Sequence, residues 1–93
     1  MIKSYGNKLT RQVAEGVFPK KLPSMIKTRI LMRLIQLDNA TTIDDLRLPP
    51  SNHLEKLSGD RQEQYSIRIN QQWRLCFEFE EGNAFNVAVI DYH

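Results

Sequence analysis

Two arginines and a three-residue end carry the chemistry this sequence can do. Arg68 and Arg74 flank a short break in the run Tyr65-Ser66-Ile67-Arg68-Ile69-Asn70-Gln71-Gln72-Trp73-Arg74, and the sequence finishes Asp91-Tyr92-His93. A guanidinium stabilises charge building on phosphoryl oxygens, and a carboxylate, a phenol and an imidazole exchange protons. Together they suit cleavage of RNA by its own 2′-OH. That reaction needs a base for the 2′ proton, a cation for the phosphoryl oxygens and an acid for the leaving 5′ oxygen, and no step requires a metal. There is no glycine-rich phosphate loop, G-x-S-x-G elbow, H-E-x-x-H pair or Cys/His cluster. No cofactor and no metal are therefore expected.

Strand alternation is what brings the two arginines together. Tyr65, Ile67 and Ile69 alternate with polar residues, as do Trp73, Leu75, Phe77 and Phe79, and then Phe85, Val87 and Val89. Opposed residues of an antiparallel pair share a face, so keeping Ile67 opposite Leu75 and Tyr65 opposite Phe77 puts Arg68 opposite Arg74. Asn70-Gln71-Gln72 is then the loop. The same reasoning pairs Leu75 with Val89, Arg74 with Ile90 and Phe79 with Phe85, with a turn at Glu81-Gly82-Asn83. Tyr92 should project near the arginines. Like charges opposed on a sheet are destabilising unless an anion sits between them. Either Glu55, Glu78 or Asp60 neutralises them in a surface network, or a substrate phosphate does.

The rest of the chain must position this sheet. A short first strand is expected over 2–5, and a helix over 8–15 with Leu9 and Val13 inward, ended by Gly16. Ser24 is the expected N-cap of an amphipathic helix over 25–37, with Ile26, Ile30, Leu34 and Leu37 on the buried stripe and Lys27, Arg29 and Arg33 on the flank. Thr42 to Leu46 suits one more helical turn, and His53 to Leu57 alternates weakly. Cys76, the phenylalanines and Trp73 read as packing residues, and His53, beside Pro49-Pro50, as a loop residue. The fold class is α+β, with N-terminal helices on a small antiparallel meander and one domain over 1–93.

Composition agrees. The chain has 93 residues, 41% hydrophobic and 26% charged, as in globular domains, and its single cysteine excludes a disulfide framework or zinc ribbon. Membrane-span and secretory-signal patterns are lacking, so a cytoplasmic location without membrane association is expected. The net charge of +2 hides an asymmetry: residues 1–33 hold eight Lys or Arg against one acid. Such a surface suits a polyanion, and equally a solvated helical face.

Four segments together resemble the HigB toxins of the RelE/ParE superfamily of bacterial toxin–antitoxin systems: Met1-Ile2-Lys3-Ser4-Tyr5, Leu54-Glu55-Lys56-Leu57-Ser58-Gly59-Asp60-Arg61, the N-x-x-W-R hairpin ending at Trp73-Arg74, and Val89-Ile90-Asp91-Tyr92-His93. The resemblance implies a RelE-like microbial ribonuclease fold. It also implies metal-independent cleavage of mRNA in the A site of the ribosome, and inhibition by a HigA antitoxin carrying a helix-turn-helix, which alone would contact operator DNA. By motif, Arg74 corresponds to the phosphate-stabilising arginine, and Asp91, Tyr92 and His93 to the terminal catalytic group. Arg68, Glu55 and Lys56 are expected to contact substrate. Many members carry His where this chain has Glu55 and Lys where it has Ser58, as in H-P-L-K-G-D. Glu55 can act as a base but not as a cationic clamp, and Arg68 can supply the missing charge.

Two other readings fit the same residues. One is a non-catalytic inhibitor of DNA gyrase, as in the ParE branch. The other is a simple RNA-binding protein whose cations only touch phosphates. The antitoxin is expected to dock on the basic flank of the 25–37 helix, and no surplus apolar face for self-association is evident.

Overall fold

The computed structural model describes residues 1–20, 22–57 and 64–92. Helices α1 (Lys8–Ala14) and α2 (Ser24–Asn39) lie on one face of an antiparallel sheet of order β1-β2-β3-β4, formed by Glu55–Lys56, Gln64–Arg68, Trp73–Glu80 and Asn83–Asp91. Short 3₁₀ turns at Ile43–Arg47 and Pro50–Asn52 lead from α2 into β1. Val13, Ile26, Ile30, Leu34 and Leu37 of the helices meet Ile67, Leu75, Phe77, Val87 and Val89 of the sheet, all buried. Phe77 is central, stacked on Tyr65 at 6.2 Å and edge-on to Phe79 at 6.4 Å between centroids.

The β2–β3 register is the one the alternation requires, from Gln64 opposite Glu78 to Arg68 opposite Arg74. The β3–β4 register is not. Leu75–Val89 and Arg74–Ile90 pair as expected, but Glu78 faces Phe85 and Phe79 faces Ala84, because a bulge intervenes between Cys76 and Glu78. Asn86 takes up the extra residue with φ 52, in the left-handed region that Asn tolerates. The connection therefore shortens to Glu81 and Gly82, with φ 51 and 79. Two positive-φ residues make the turn whose twist matches a hairpin. Phe85 moves to the outer face and Ala84 enters the core.

Segment 2–5 is no ladder strand. Ile2 and Tyr5 form isolated parallel bridges to Ala84 and Val87, one on each side of the bulge. Side chains close the rest of this edge: Asn7 caps α1 by accepting from Thr10 N at 3.0 Å, Asn7 Nδ2 donates to Val89 O, and Val89 N donates to Thr10 Oγ1 at 2.8 Å. An otherwise open edge is thereby sealed. Gly6 is tight here, since a Cβ would lie 2.8 Å from Asn86 O. Gly6→Ala should cost about 1–3 kcal/mol, as overpacking does. A lower urea midpoint at constant m value would show it, and an unchanged midpoint would mean the segment yields freely.

Helix α2 begins one residue earlier than the cap reading. Pro23 is the N-cap and Ser24 is already helical, because the preset φ of proline (−59) starts the turn without a side-chain bond. Met25, Met32 and Ile35 of α2 are exposed at 72%, 57% and 60%, so an apolar stripe exists that the sequence pattern did not reveal.

Candidate active site

The outer sheet face owes its shape to a row of small side chains. Ser66, Cys76 and Ala88 stand side by side on β2, β3 and β4 and are buried. The next row is Arg68, Arg74 and Ile90. A low floor beside long cationic walls makes a cleft of about 290 Å³, lined by His53, Glu55, Arg68, Asn70, Gln71, Arg74 and Tyr92.

Arg74 is held on three sides. Its Nε donates to Ser66 Oγ at 2.8 Å, and its Nη2 donates to His53 O at 2.5 Å and to Ser66 O at 3.3 Å. Glu55 Oε2 lies 4.0 Å from Nη2, and the arginine side chain is only 12% exposed. These bonds lock the plane of the guanidinium and leave Nη1 for a further oxygen. Glu78 takes no part, because its carboxylate accepts from Asn86 Nδ2 at 2.6 Å. Asp60 lies outside the described residues. Arg68 forms no ion pair among the described residues, and its Nε donates to Asn70 O at 3.2 Å.

The hairpin loop explains the spacing of N-x-x-W-R. Asn70 Oδ1 accepts from Gln72 N at 2.8 Å and Trp73 N at 2.7 Å, a side-chain-closed turn that starts β3 with Arg74 on the outer face. The loop also fixes the tail, since Tyr92 N donates to Gln72 O at 2.7 Å and Gln72 Nε2 to Asp91 Oδ2 at 3.1 Å.

Tyr92 reaches the cleft as expected, its hydroxyl 3.6 Å from Cys76 Sγ. Asp91 pairs with Trp73, on the core-facing row, and is not among the cleft-lining residues. His93 lies outside the described residues. Glu55 lines the cleft, whereas Lys56, next on the strand and opposite Tyr65, does not.

His53 is the residue that sequence reading passed over. It ends the Pro50–Asn52 turn with φ 43 and ψ 58, donating through N–H to Pro50 O and accepting from Arg74. Asn52 secures this conformation from below. Its buried amide donates to Leu46 O and Gln36 Oε1, each at 3.1 Å, and to Leu48 O at 3.3 Å. Only proximity to the weak first strand hinted at the role.

The family described as RelE-like toxins of type II toxin–antitoxin system HigB matches residues 4–93. The chain belongs to the HigB-like toxins. Among its relatives, Toxin HigB-1 of Vibrio cholerae is 42% identical over 72 residues, covering 77% of this chain and 75% of that protein. Endoribonuclease HigB of Proteus vulgaris is 34% identical over 93 residues, 100% of both chains. Among solved structures, the YoeB–YefM complex from Staphylococcus aureus matches with TM-score 0.64 at 18% identity, over 100% of this chain and 95% of that one. YafQ from E. coli matches with TM-score 0.62 at 18% identity, over 98% and 91%. The HigB-like toxin thus has the fold of those proteins, with an antitoxin as its partner. Its cationic cleft sits on the outer sheet face, opposite the helices.

Proposed function

We propose that this HigB-family toxin is an endoribonuclease that cuts messenger RNA in the ribosomal A site, through attack of the message's own 2′-OH and without a metal. The observation that supports this best is the fixed Arg74 guanidinium beside Arg68, in a cleft shared with Glu55, His53 and Tyr92. Arg74 binds the phosphoryl oxygens and stabilises the charge that grows on them in the transition state. Glu55 takes the 2′ proton. Tyr92 and His93 orient the nucleotide and deliver a proton to the leaving 5′ oxygen, while Asp91, through Gln72, holds the start of the tail. The P. vulgaris relative named as an endoribonuclease matches along the whole chain and favours this over gyrase inhibition.

The antitoxin is of HigA type, with a helix-turn-helix that contacts operator DNA on behalf of the pair, and it docks on α2. The exposed Met25, Met32 and Ile35 offer an apolar stripe, and Lys27 and Arg29 border it with positive charge. The complex works in the cytoplasm, and no described helix is long and apolar enough to cross a membrane.

Induced expression with 5′-end mapping, on cellular transcripts and on purified ribosomes carrying a short message, tests the activity. Growth arrest with codon-phased cuts is expected. Arrest without cuts, together with loss of gyrase supercoiling, would assign the chain to the inhibitor class instead.

A further inference from the structure

The Arg74 cleft does not end at Arg68. A wider cleft of about 800 Å³ adjoins it, between α2, the Pro50–Asn52 turn and the β2–β3 loop. His53, Arg68, Asn70 and Gln71 line both, so the two meet at a waist. Beyond that waist the cations are Arg29 and Arg33, one turn apart on the same face of α2. Arg33 Nε donates to Arg68 O at 2.9 Å, and Arg29 Nη1 to Ile69 O at 3.3 Å. Each guanidinium has further donors to offer. No carboxylate among the described residues pairs with Arg29, Arg33 or Arg68. Burial, and then the charge of Arg29, hold Arg33 below the ordinary arginine pKa. Two like charges one helical turn apart disfavour the helix unless an anion joins them.

We propose that this second cleft seats the RNA strand on one side of the scissile position, with Arg29 and Arg33 binding the phosphate of a flanking nucleotide. The inference rests on the endoribonuclease reading, because it continues the same strand out of the Arg74 cleft. RNA fits better than an acidic peptide for two reasons. The waist is shared with the catalytic cleft, so a strand leaving Arg74 passes Arg68 before it meets α2. Asn70 Nδ2, the Gln71 amide and the ring of His53 at the waist also suit the edge and face of an unstacked base, chemistry a peptide carboxylate does not use.

The test uses the full chain and RNA strands with 2′-deoxyribose at the scissile nucleotide: a dinucleotide, then strands extended by one to three nucleotides at the 5′ end or at the 3′ end. Affinities come from amide-shift titrations at several salt concentrations. For the wild type, extension at one end should tighten binding about tenfold, with the salt slope steepening by about 0.7 for each phosphate engaged. R29Q/R33Q should lose that gain and keep the dinucleotide affinity, which also reports that it is folded, and R29K/R33K should retain most of the gain. A gain that survives in R29Q/R33Q, or no gain at either end, overturns the proposal. So does a glutamate decapeptide that binds the wild type more tightly than the extended strands and depends on the same arginines. A toxin that cuts messages yet ignores Arg29 and Arg33 refutes the cleft alone. One that cuts nothing refutes the endoribonuclease reading, and the cleft falls with it.

Discussion

Arg74→Ala should slow message cleavage about 10²- to 10³-fold in single-turnover assays on programmed ribosomes, the cost of losing one preorganised donor to a developing oxyanion. The size of the effect follows from how Arg74 is held. Ser66 and His53 fix its plane before substrate arrives, so little reorganisation opposes its action in the transition state. Alanine also strands Ser66 Oγ and the carbonyl of left-handed His53. An accompanying loss of about 1–3 kcal/mol in urea unfolding is expected for such orphaned groups. Arg74→Lys separates the two effects. An ammonium restores charge but puts all its donors on one nitrogen and lacks the planar fork that spans Ser66 and His53 from two nitrogens and aims a third, so its rate should stay well below wild type. Arg68→Ala should lose only about tenfold, because Arg68 spends its Nε on the loop and, unlike Arg74, is not fixed by Ser66 and His53. If Arg74→Ala weakened RNA binding and left the bound-state rate intact, the cleft would be a binding surface alone.

The β2–β3 hairpin was legible because its two faces differ along its whole length. Tyr65, Ile67, Leu75 and Phe77 admit one pairing that keeps them together, and that pairing carries Arg68 to Arg74. The next hairpin was not. Phe85 and Ala84 are both acceptable in a core, and alternation cannot see a bulge whose only signal is one Asn able to adopt positive φ. The bulge in turn decides which residues line the outer face beside Glu78. His53 was missed for a related reason. Its role depends on a main-chain carbonyl aimed by a left-handed residue, and on an Asn52 amide buried beneath it, and neither leaves a periodic trace. Sequence alone leaves the basic flank of α2 open between a polyanion surface and a solvated face, whereas Arg29 and Arg33 are tied to carbonyls at and just past the end of β2. That contact spans most of a strand–helix layer and is settled only by packing.

Removing Tyr92 and His93, in a chain ending at Asp91, should lower the cleavage rate about 10²- to 10⁴-fold, the span assigned to positioned proton donors and acceptors. The cut falls after Asp91 because Asp91 closes the β3–β4 ladder against Trp73 and accepts from Gln72. The fold should barely notice the shorter chain. Tyr92 is 38% exposed, and its backbone bond to Gln72 O contributes about 0.5–1.5 kcal/mol. Rate and stability should therefore part company, the reverse of what a core substitution does. Tyr92→Phe divides the effect further. It keeps the ring for stacking on a base and removes only the hydroxyl that meets Cys76 Sγ, so a loss of under tenfold would mark Tyr92 as a positioning residue and leave proton delivery to His93. A truncated chain that cuts at the wild-type rate would instead move the acid into the cleft proper, where His53 is the one imidazole among the described residues.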